Sequence, residues 1–598
     1  MKKREEMDLK FMWKPEHIYG SREEIADEFQ LLEKAKADIA KFVGKLSEKE
    51  SLLKALKTSS DAMRRVMKLE SYAHRCRDVD VSVGEWQELS GMVESVMTEL
   101  SAVSSFMEPE LLSYDENLLK EFRDNPDFAV FTRYFDALLR NKPHTLSDKE
   151  EMIMAQFSGL SFAQYEIFTT FSSIDMKFPK IELDGELVEV NMPTYAKYRG
   201  SDNRETRKKI FDAFWGAYDG YKNGISKMLH YQIKYYATAS KLRNFQDTLE
   251  SEMNANELPH SFFYTLRDNI RAILPAFHEY LAVKKEVLNI PDQGYHDVYA
   301  KMVTGDSNRK FEYNESVKLI NEAMKPMSEE YRSVLAQSME PENGWVDIYP
   351  NKGKVSGAYM SGEAYDSHPF VLLNHIDDYN SASTLAHEMG HAMHSYYSNR
   401  FQPFEKSQYT IFVAEVASTF NEIMLINHLL DTTTDKEEKK FLLNHFIEMI
   451  RSTVFRQMQF AEFEDEIYKK VERGEALTPD FLSGVYGDTL SRYYGEEYGL
   501  MKIEELHKNE WAFVPHFYYK YYVYKYVVGF IGALSLAESV RAGNVSPQQY
   551  IDGFLKAGSS KPPLEILKDA GVDMTSIEPY KIIEKVFVEK LKELKELL

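Results

Sequence analysis

Thr384-Leu385-Ala386-His387-Glu388-Met389-Gly390-His391-Ala392-Met393-His394 contains the pattern H-E-x-x-H, and the chain is organised around it. On an α-helix, residues four apart lie on one face, so His387 and His391 can point at one metal ion together. Glu388 lies about 100° further round the helix, near enough to reach a water beside that ion. Two imidazoles on one helix suit zinc, and a neighbouring carboxylate is the base that metal-assisted hydrolysis needs. A five-residue pattern also arises by chance, in roughly one chain in thirty of this composition, so its surroundings have to decide.

The chain has 598 residues, of which 43% are hydrophobic and 13% aromatic, ample for a large core. Its formal net charge is -22, which argues against a nucleic-acid or anionic-membrane binder, because both reward basic surface. One cysteine, Cys76, excludes an intrachain disulfide and a cysteine-only metal site, and it reads as a packed residue. Residues 1–8, MKKREEMD, carry no apolar stretch of the kind a secretory signal needs, and no run of about 18 apolar residues occurs. A cytoplasmic protein is expected.

Outward from the motif, most of the chain reads as helix. Ser21-Arg22-Glu23-Glu24 is a capping box, and apolar residues then recur three and four apart, as at Leu52, Leu53, Leu56 and at Val93, Val96, Met97, Leu100. Ile181-Glu182-Leu183-Asp184-Gly185-Glu186-Leu187-Val188 breaks the pattern with a hairpin signal, Asp-Gly between alternating apolar residues. A domain boundary is expected close after it. It divides an N-terminal helical region, 1–195, from the region 196–598 that holds the motif. A second β region, 345–376, reads as three short strands, Trp345–Tyr349, Val355–Met360 and Pro369–Asn374, punctuated by Gly353, Gly357 and Gly362. The fold class is therefore mainly α, with a small β-sheet beside the motif helix. That helix should start near Asn380 or Ser381 as its cap.

A catalytic zinc site wants three protein ligands and an open position. The extension H-E-x-x-H-x-x-G-x-x-H fails here, because His394 stands at the glycine position and Tyr397 at the last histidine. His394 is expected to lie outside the ligand set. A downstream glutamate is the other common third ligand, and Glu405, Glu415 and Glu422 are the candidates. Glu405 follows Pro403 in an expected loop. Glu415 lies in Ile411-Phe412-Val413-Ala414-Glu415-Val416-Ala417-Ser418-Thr419-Phe420-Asn421-Glu422-Ile423, apolar nearly all round and so expected to be buried. Its polar residues Glu415, Ser418, Thr419 and Glu422 fall on one stripe. A buried carboxylate is costly unless paired or metal-bound. Glu415 is assigned as the ligand. Glu422 is assigned, with Ser418 beside it, to accept from a ligand imidazole and fix its orientation.

The chemistry that follows is hydrolysis. Zinc, one ion per chain, acidifies water and polarises a carbonyl while Glu388 takes the proton. The oxyanion that forms calls for a further donor. Residues 516–526 offer six tyrosines and a histidine, with Tyr518 and Tyr522 on one helical face and Tyr521 and Tyr524 on another.

Ala386–His394 together with Phe412–Glu422 resemble the zinc motif and third-ligand helix of the oligoendopeptidase F group, within the thimet oligopeptidase family. Gly357-Ala358-Tyr359, Pro369–Asn374, Pro515–Tyr526 and Gly571-Val572-Asp573-Met574 resemble it as well, so the likeness spans nearly the whole chain. It implies a helical body of two lobes around a deep channel, with short unstructured peptides as substrates. It also implies His387, His391 and Glu415 as ligands and Glu388 as base. In thimet-type relatives a histidine and tyrosines on a loop stabilise the transition state, and His516, Tyr522 and Tyr524 fall on the matching stretch. Those relatives carry glycines in that loop where this chain has Phe517-Tyr518-Tyr519-Lys520. Gly357, Ala358 and Tyr359 would form a sheet edge to which a substrate strand adds through backbone hydrogen bonds.

The leading expectation is a zinc endopeptidase for oligopeptides. A peptidyl-dipeptidase of the same fold and a non-catalytic peptide-binding protein with a zinc site are the alternatives. The oligomeric state is not legible in the sequence.

Overall fold

The Ser21 hydroxyl accepts from the Glu24 backbone N–H at 3.2 Å and starts the helix Arg22–Ile39. The Glu24 carboxylate reaches back one residue further than a standard capping box, to the Gly20 N–H at 2.9 Å. The computed structural model describes residues 2–183, 185–303 and 309–598. These are mainly helical, with two small sheets. Among the described residues no helix is long and apolar enough to cross a membrane.

The chain forms two compact units, and neither is continuous in sequence. The first comprises Met1–Thr145, Asn308–Thr432 and Gly532–Asp573; the second comprises Leu146–Ser307, Thr433–Ile531 and Met574–Leu598. The position near 195 read as a boundary falls inside the second unit, so the units do not follow the division 1–195 and 196–598.

In the first unit the helices Arg22–Ile39, Lys49–Asp78 and Gly84–Ser104 bury one apolar stripe each, with Leu32, Val66, Leu69, Val93 and Leu100 in a common core. Cys76 is buried in Lys49–Asp78, and burial pushes its thiol up to about 12, in keeping with a packed residue. Phe370 and Leu372 join the same core and attach a three-stranded sheet to it. Phe370–Leu372 is the central strand, parallel to Val346–Asp347 and antiparallel to Tyr359–Ser361. All three strands are shorter than their apolar runs predict. Gly357 has φ +84° and its carbonyl accepts from Asn374 Nδ2 at 2.8 Å, so regular pairing begins only at Tyr359. Asp347, at the end of the first strand, is buried and held by Arg4 and by Lys354 Nζ at 2.7 Å.

The motif helix follows this sheet as Tyr379–Phe401. Its cap is Asp378, earlier than Asn380 or Ser381. Asp378 has extended backbone and accepts from the Ser381 N–H at 2.7 Å, while the Ser381 hydroxyl accepts from Ile376 N–H at 3.1 Å. The helix Ile411–Thr432 packs along it.

The second unit is built on the 39-residue helix Arg204–Leu242. The hairpin pairs Lys180–Leu183 with Glu186–Glu189, as the sequence predicts, and Gly185 takes φ +84° in its turn. Asp184, the other turn residue, lies outside the described residues. Against the long helix pack Arg456–Glu472 and Pro479–Tyr493.

Candidate active site

Gly390 sets how close the two helices of the first unit can come. A Cβ on it would stand 2.4 Å from the Ala417 carbonyl oxygen and 2.6 Å from the Ser418 Cα. Only hydrogen fits there. One turn of the motif helix, from His387 to His391, is thereby pressed against the turn that carries Glu415 and Ser418. Asn421 fastens the crossing: its Nδ2 donates to the Ala386 carbonyl at 3.2 Å, and its Oδ1 accepts from Tyr331 at 3.1 Å.

The result is a convergent donor set. His387 Nε2 lies 3.4 Å and His391 Nε2 3.7 Å from Glu415 Oε2. Ligand atoms of the three residues all lie within 4.8 Å of one another, so they could hold one metal ion. The far side of the His387 ring is engaged: Nδ1 donates to Glu422 Oε1 at 3.0 Å, while the Ala414 backbone beside the His391 ring favours its charged form. Ser418 Oγ lies 3.2 Å from Glu415 Oε2 and steadies that carboxylate. Glu415 thus lies on the Nε2 side of His387 and Glu422 on its Nδ1 side. One feature differs from the expected buried stripe: the Glu415 side chain is 42% exposed and the Glu422 side chain 20%. The stripe opens to solvent at its Glu415 end.

Electrostatics follow from this packing. In the metal-free protein burial opposes charge on His387, but hydrogen bonds to Glu415 and Glu422 outweigh it and raise the imidazole to about 10. Burial would raise Glu415; His387 and His391 outweigh that and hold it down at about 2. Burial pushes Glu388 up to about 7, where a carboxylate is poised to accept and return a proton near neutrality. The Met360 backbone amide, on the edge strand, faces the Glu388 carboxylate and opposes the rise. His394 is outside the donor set, as expected. It is buried between Tyr409, stacked at 3.7 Å, and Phe554, and burial depresses it to about 3. Glu405 lies in the one-turn helix Phe404–Ser407, not a loop, and accepts from Ser60.

The proposed substrate edge is present in part. Tyr359–Ser361 is an outer strand of the sheet. The Tyr359 side chain is committed elsewhere, its hydroxyl donating to Asp78 Oδ2 at 2.6 Å and its ring lying against Arg75. The Gly357 carbonyl is taken by Asn374. Ala358 lies between Gly357 and the first residue of this strand, outside the regular pairing.

The aromatic stretch lies in the second unit and is not one helix. Pro515–Tyr518 is a 3₁₀ turn, and the α-helix starts only at Tyr524. Helical spacing therefore misassigns its faces. Tyr518 is buried, stacked on Phe168 at 4.7 Å, and Tyr524 is fully buried beside Phe263. Tyr524, expected as a donor, is thus a core residue of this unit. His516 and Tyr522 are half-exposed and stack on each other at 6.2 Å, with Tyr519 and Tyr526 completing the cluster. Sequence reasoning passed over Gly390, Asn421, Tyr526 and the Met360 amide. An isolated glycine inside a helix signals close packing and could have drawn notice to Gly390. A backbone amide leaves no such signal.

The profile of Peptidase family M3 matches residues 198–584, and that of Oligopeptidase F matches 110–178. The chain is 36% identical to oligopeptidase PepF of Bacillus subtilis over 599 residues, covering all of this chain and 88% of that one. A solved structure from Chlamydophila abortus is 32% identical and superimposes with TM-score 0.91, covering 100% of both chains. The crystal structure of oligoendopeptidase-F from Enterococcus faecium is 29% identical with TM-score 0.71, covering 96% of this chain and 99% of that one.

Proposed function

The chain belongs to peptidase family M3, and from that premise we propose a zinc endopeptidase that cuts internal bonds of short unstructured peptides. At the coarser level it is a metallopeptidase acting on oligopeptides. The observation that carries the finer proposal is the convergence of His387 Nε2 and His391 Nε2 on Glu415 Oε2, with the opposite side of the His387 ring held by Glu422. Two imidazoles and one carboxylate are the donors that zinc takes in hydrolytic sites, with room left for water.

One zinc ion per chain, held by His387, His391 and Glu415, would supply Lewis acidity at the scissile carbonyl and lower the pKa of water. Glu388 takes the proton of the attacking water and delivers it to the leaving amine. Glu422 keeps His387 in the tautomer whose Nε2 faces Glu415. The Ala358 backbone pairs with an extended substrate, which gives grip without side-chain selection. His516 and Tyr522 are assigned as donors to the oxyanion, Tyr522 in preference to the buried Tyr524.

Glu388→Gln tests the proposal. The variant should keep its metal and bind peptide while turnover falls by about 10²–10⁴-fold. Full turnover in this variant would overturn the role of Glu388. Peptides amidated at the C-terminus should still be cut by the wild type; if they are not, a dipeptidase that clamps a free carboxylate is the better description.

A further inference from the structure

Tyr521 has φ +41°, one of five non-glycine residues among those described with positive φ. An aromatic residue is held in that region only if its surroundings over-determine it. Here they do. The Tyr521 N–H donates to Glu464 Oε1 at 2.7 Å. Its hydroxyl donates to Asp465 Oδ1 at 3.3 Å. Its ring is stacked on Tyr468 at 4.6 Å and meets Phe263 edge-on at 5.7 Å. Glu464, Asp465 and Tyr468 all lie on the helix Arg456–Glu472. On either side of the kink, Lys520 and Lys525 both pair with Glu252, the latter at 2.9 Å.

Glu464 is the unusual member. It is fully buried, its other oxygen has no hydrogen-bond partner, and burial with the nearby Glu252 and Asp465 pushes its carboxyl up. A buried carboxyl with one partner, a backbone amide, is an expensive way to fill space. What it accomplishes is local. The kink at Tyr521 turns Tyr518, Tyr521 and Tyr524 inward and leaves His516, Tyr519, Tyr522 and Tyr526 on the half-exposed face.

We infer that Glu464 is a positioning residue that pins the Tyr521 kink and so fixes the orientation of the His516–Tyr522 pair. The loop is thus held by carboxylates of its own unit. The inference rests on the proposed role of Tyr522 for its kinetic part only.

The test uses the full-length, metal-loaded enzyme. Glu464→Met removes the acceptor at similar volume, and Glu464→Gln keeps it. Amide exchange of the 518–524 segment should speed up in Glu464→Met and stay as in the wild type in Glu464→Gln. With metal content unchanged, kcat should fall by about tenfold or more in Glu464→Met at nearly constant KM, with recovery in Glu464→Gln. In a Tyr522→Phe background, Glu464→Met should cost little more. If Glu464→Met does not fold, Tyr521→Gly, which releases the kink, should give the same kcat loss. Unchanged exchange, or a kcat loss that simply adds to that of Tyr522→Phe, would overturn the inference. If Tyr522→Phe itself leaves kcat intact, the donor assignment fails, and amide exchange alone decides whether Glu464 pins the loop.

Discussion

Gly390 sits so close to the Ala417 carbonyl that the two helices of the candidate metal centre touch backbone to backbone, with 2.4 Å where a Cβ would meet the oxygen. That contact lies between the two motif histidines in sequence, so helix separation and donor geometry are one quantity. Gly390→Ala should force the helices apart, cost about 1–3 kcal/mol in stability and weaken metal binding well beyond what a surface change would do. Thermal unfolding and metal content after dialysis would check it; an alanine variant with wild-type metal affinity would show that the crossing relaxes freely.

Glu415 and Glu422 make different contacts with the same imidazole, at 3.4 Å from Nε2 and 3.0 Å from Nδ1. Glu415→Gln should lose the metal almost entirely. Glu422→Gln should keep it with affinity lowered about 10–100-fold, because only ring orientation and basicity suffer. Titration with a competing chelator separates the two. The reverse order would exchange the roles.

Metal uptake should release a proton. His387 titrates near 10 in the metal-free protein, so at pH 7 it carries a proton that a ligand nitrogen cannot keep. Affinity should therefore rise with pH through the neutral range. Calorimetry in two buffers of different ionisation enthalpy would count the protons; a count of zero would contradict the His387–Glu415–Glu422 arrangement.

His507 offers a stability prediction in the second unit. Burial depresses its imidazole to about 3, while an unfolded histidine titrates near 6.5. The unfolded chain takes up the proton first as pH falls, so the stability held above pH 6.5 is lost progressively down to about 3, by up to about 5 kcal/mol. Its Nδ1 accepts from the Glu504 N–H at 2.8 Å, which a protonated ring could not do. His507→Gln should be less stable at pH 7 and show a shallower loss between pH 6.5 and 4 in urea unfolding. Parallel slopes would remove His507 as a cause of acid sensitivity.

Ala358→Pro removes the backbone donor of the residue that precedes the edge strand Tyr359–Ser361. It should raise KM several-fold with metal content unchanged, if substrate pairs there. An unaltered KM would rule out backbone pairing at this position.

Much of the candidate metal centre was legible because it is local. H-E-x-x-H places His387 and His391 on one face by helix geometry alone, and the stripe Glu415, Ser418, Glu422 marks the facing helix by a break in an apolar pattern. The Asp-Gly hairpin was equally local, and so were the positions of the three short strands. The Ser21 cap held for the same reason. The cap of the motif helix did not, because Ser381 is used by Ile376 from outside the helix.

The sequence by itself determined the helical class, the family likeness and the chemical identity of the donors, since each depends on residues a few positions apart. Only the tertiary structure decided that each unit is assembled from three separated stretches, that Glu415 stands partly open while Glu422 braces His387, and that Tyr524 is core and Tyr522 is not. Those outcomes depend on which surfaces meet. A glycine that admits a neighbouring carbonyl, or a carboxyl that catches the amide of Tyr521, acts across dozens of residues of chain, where periodicity carries no information.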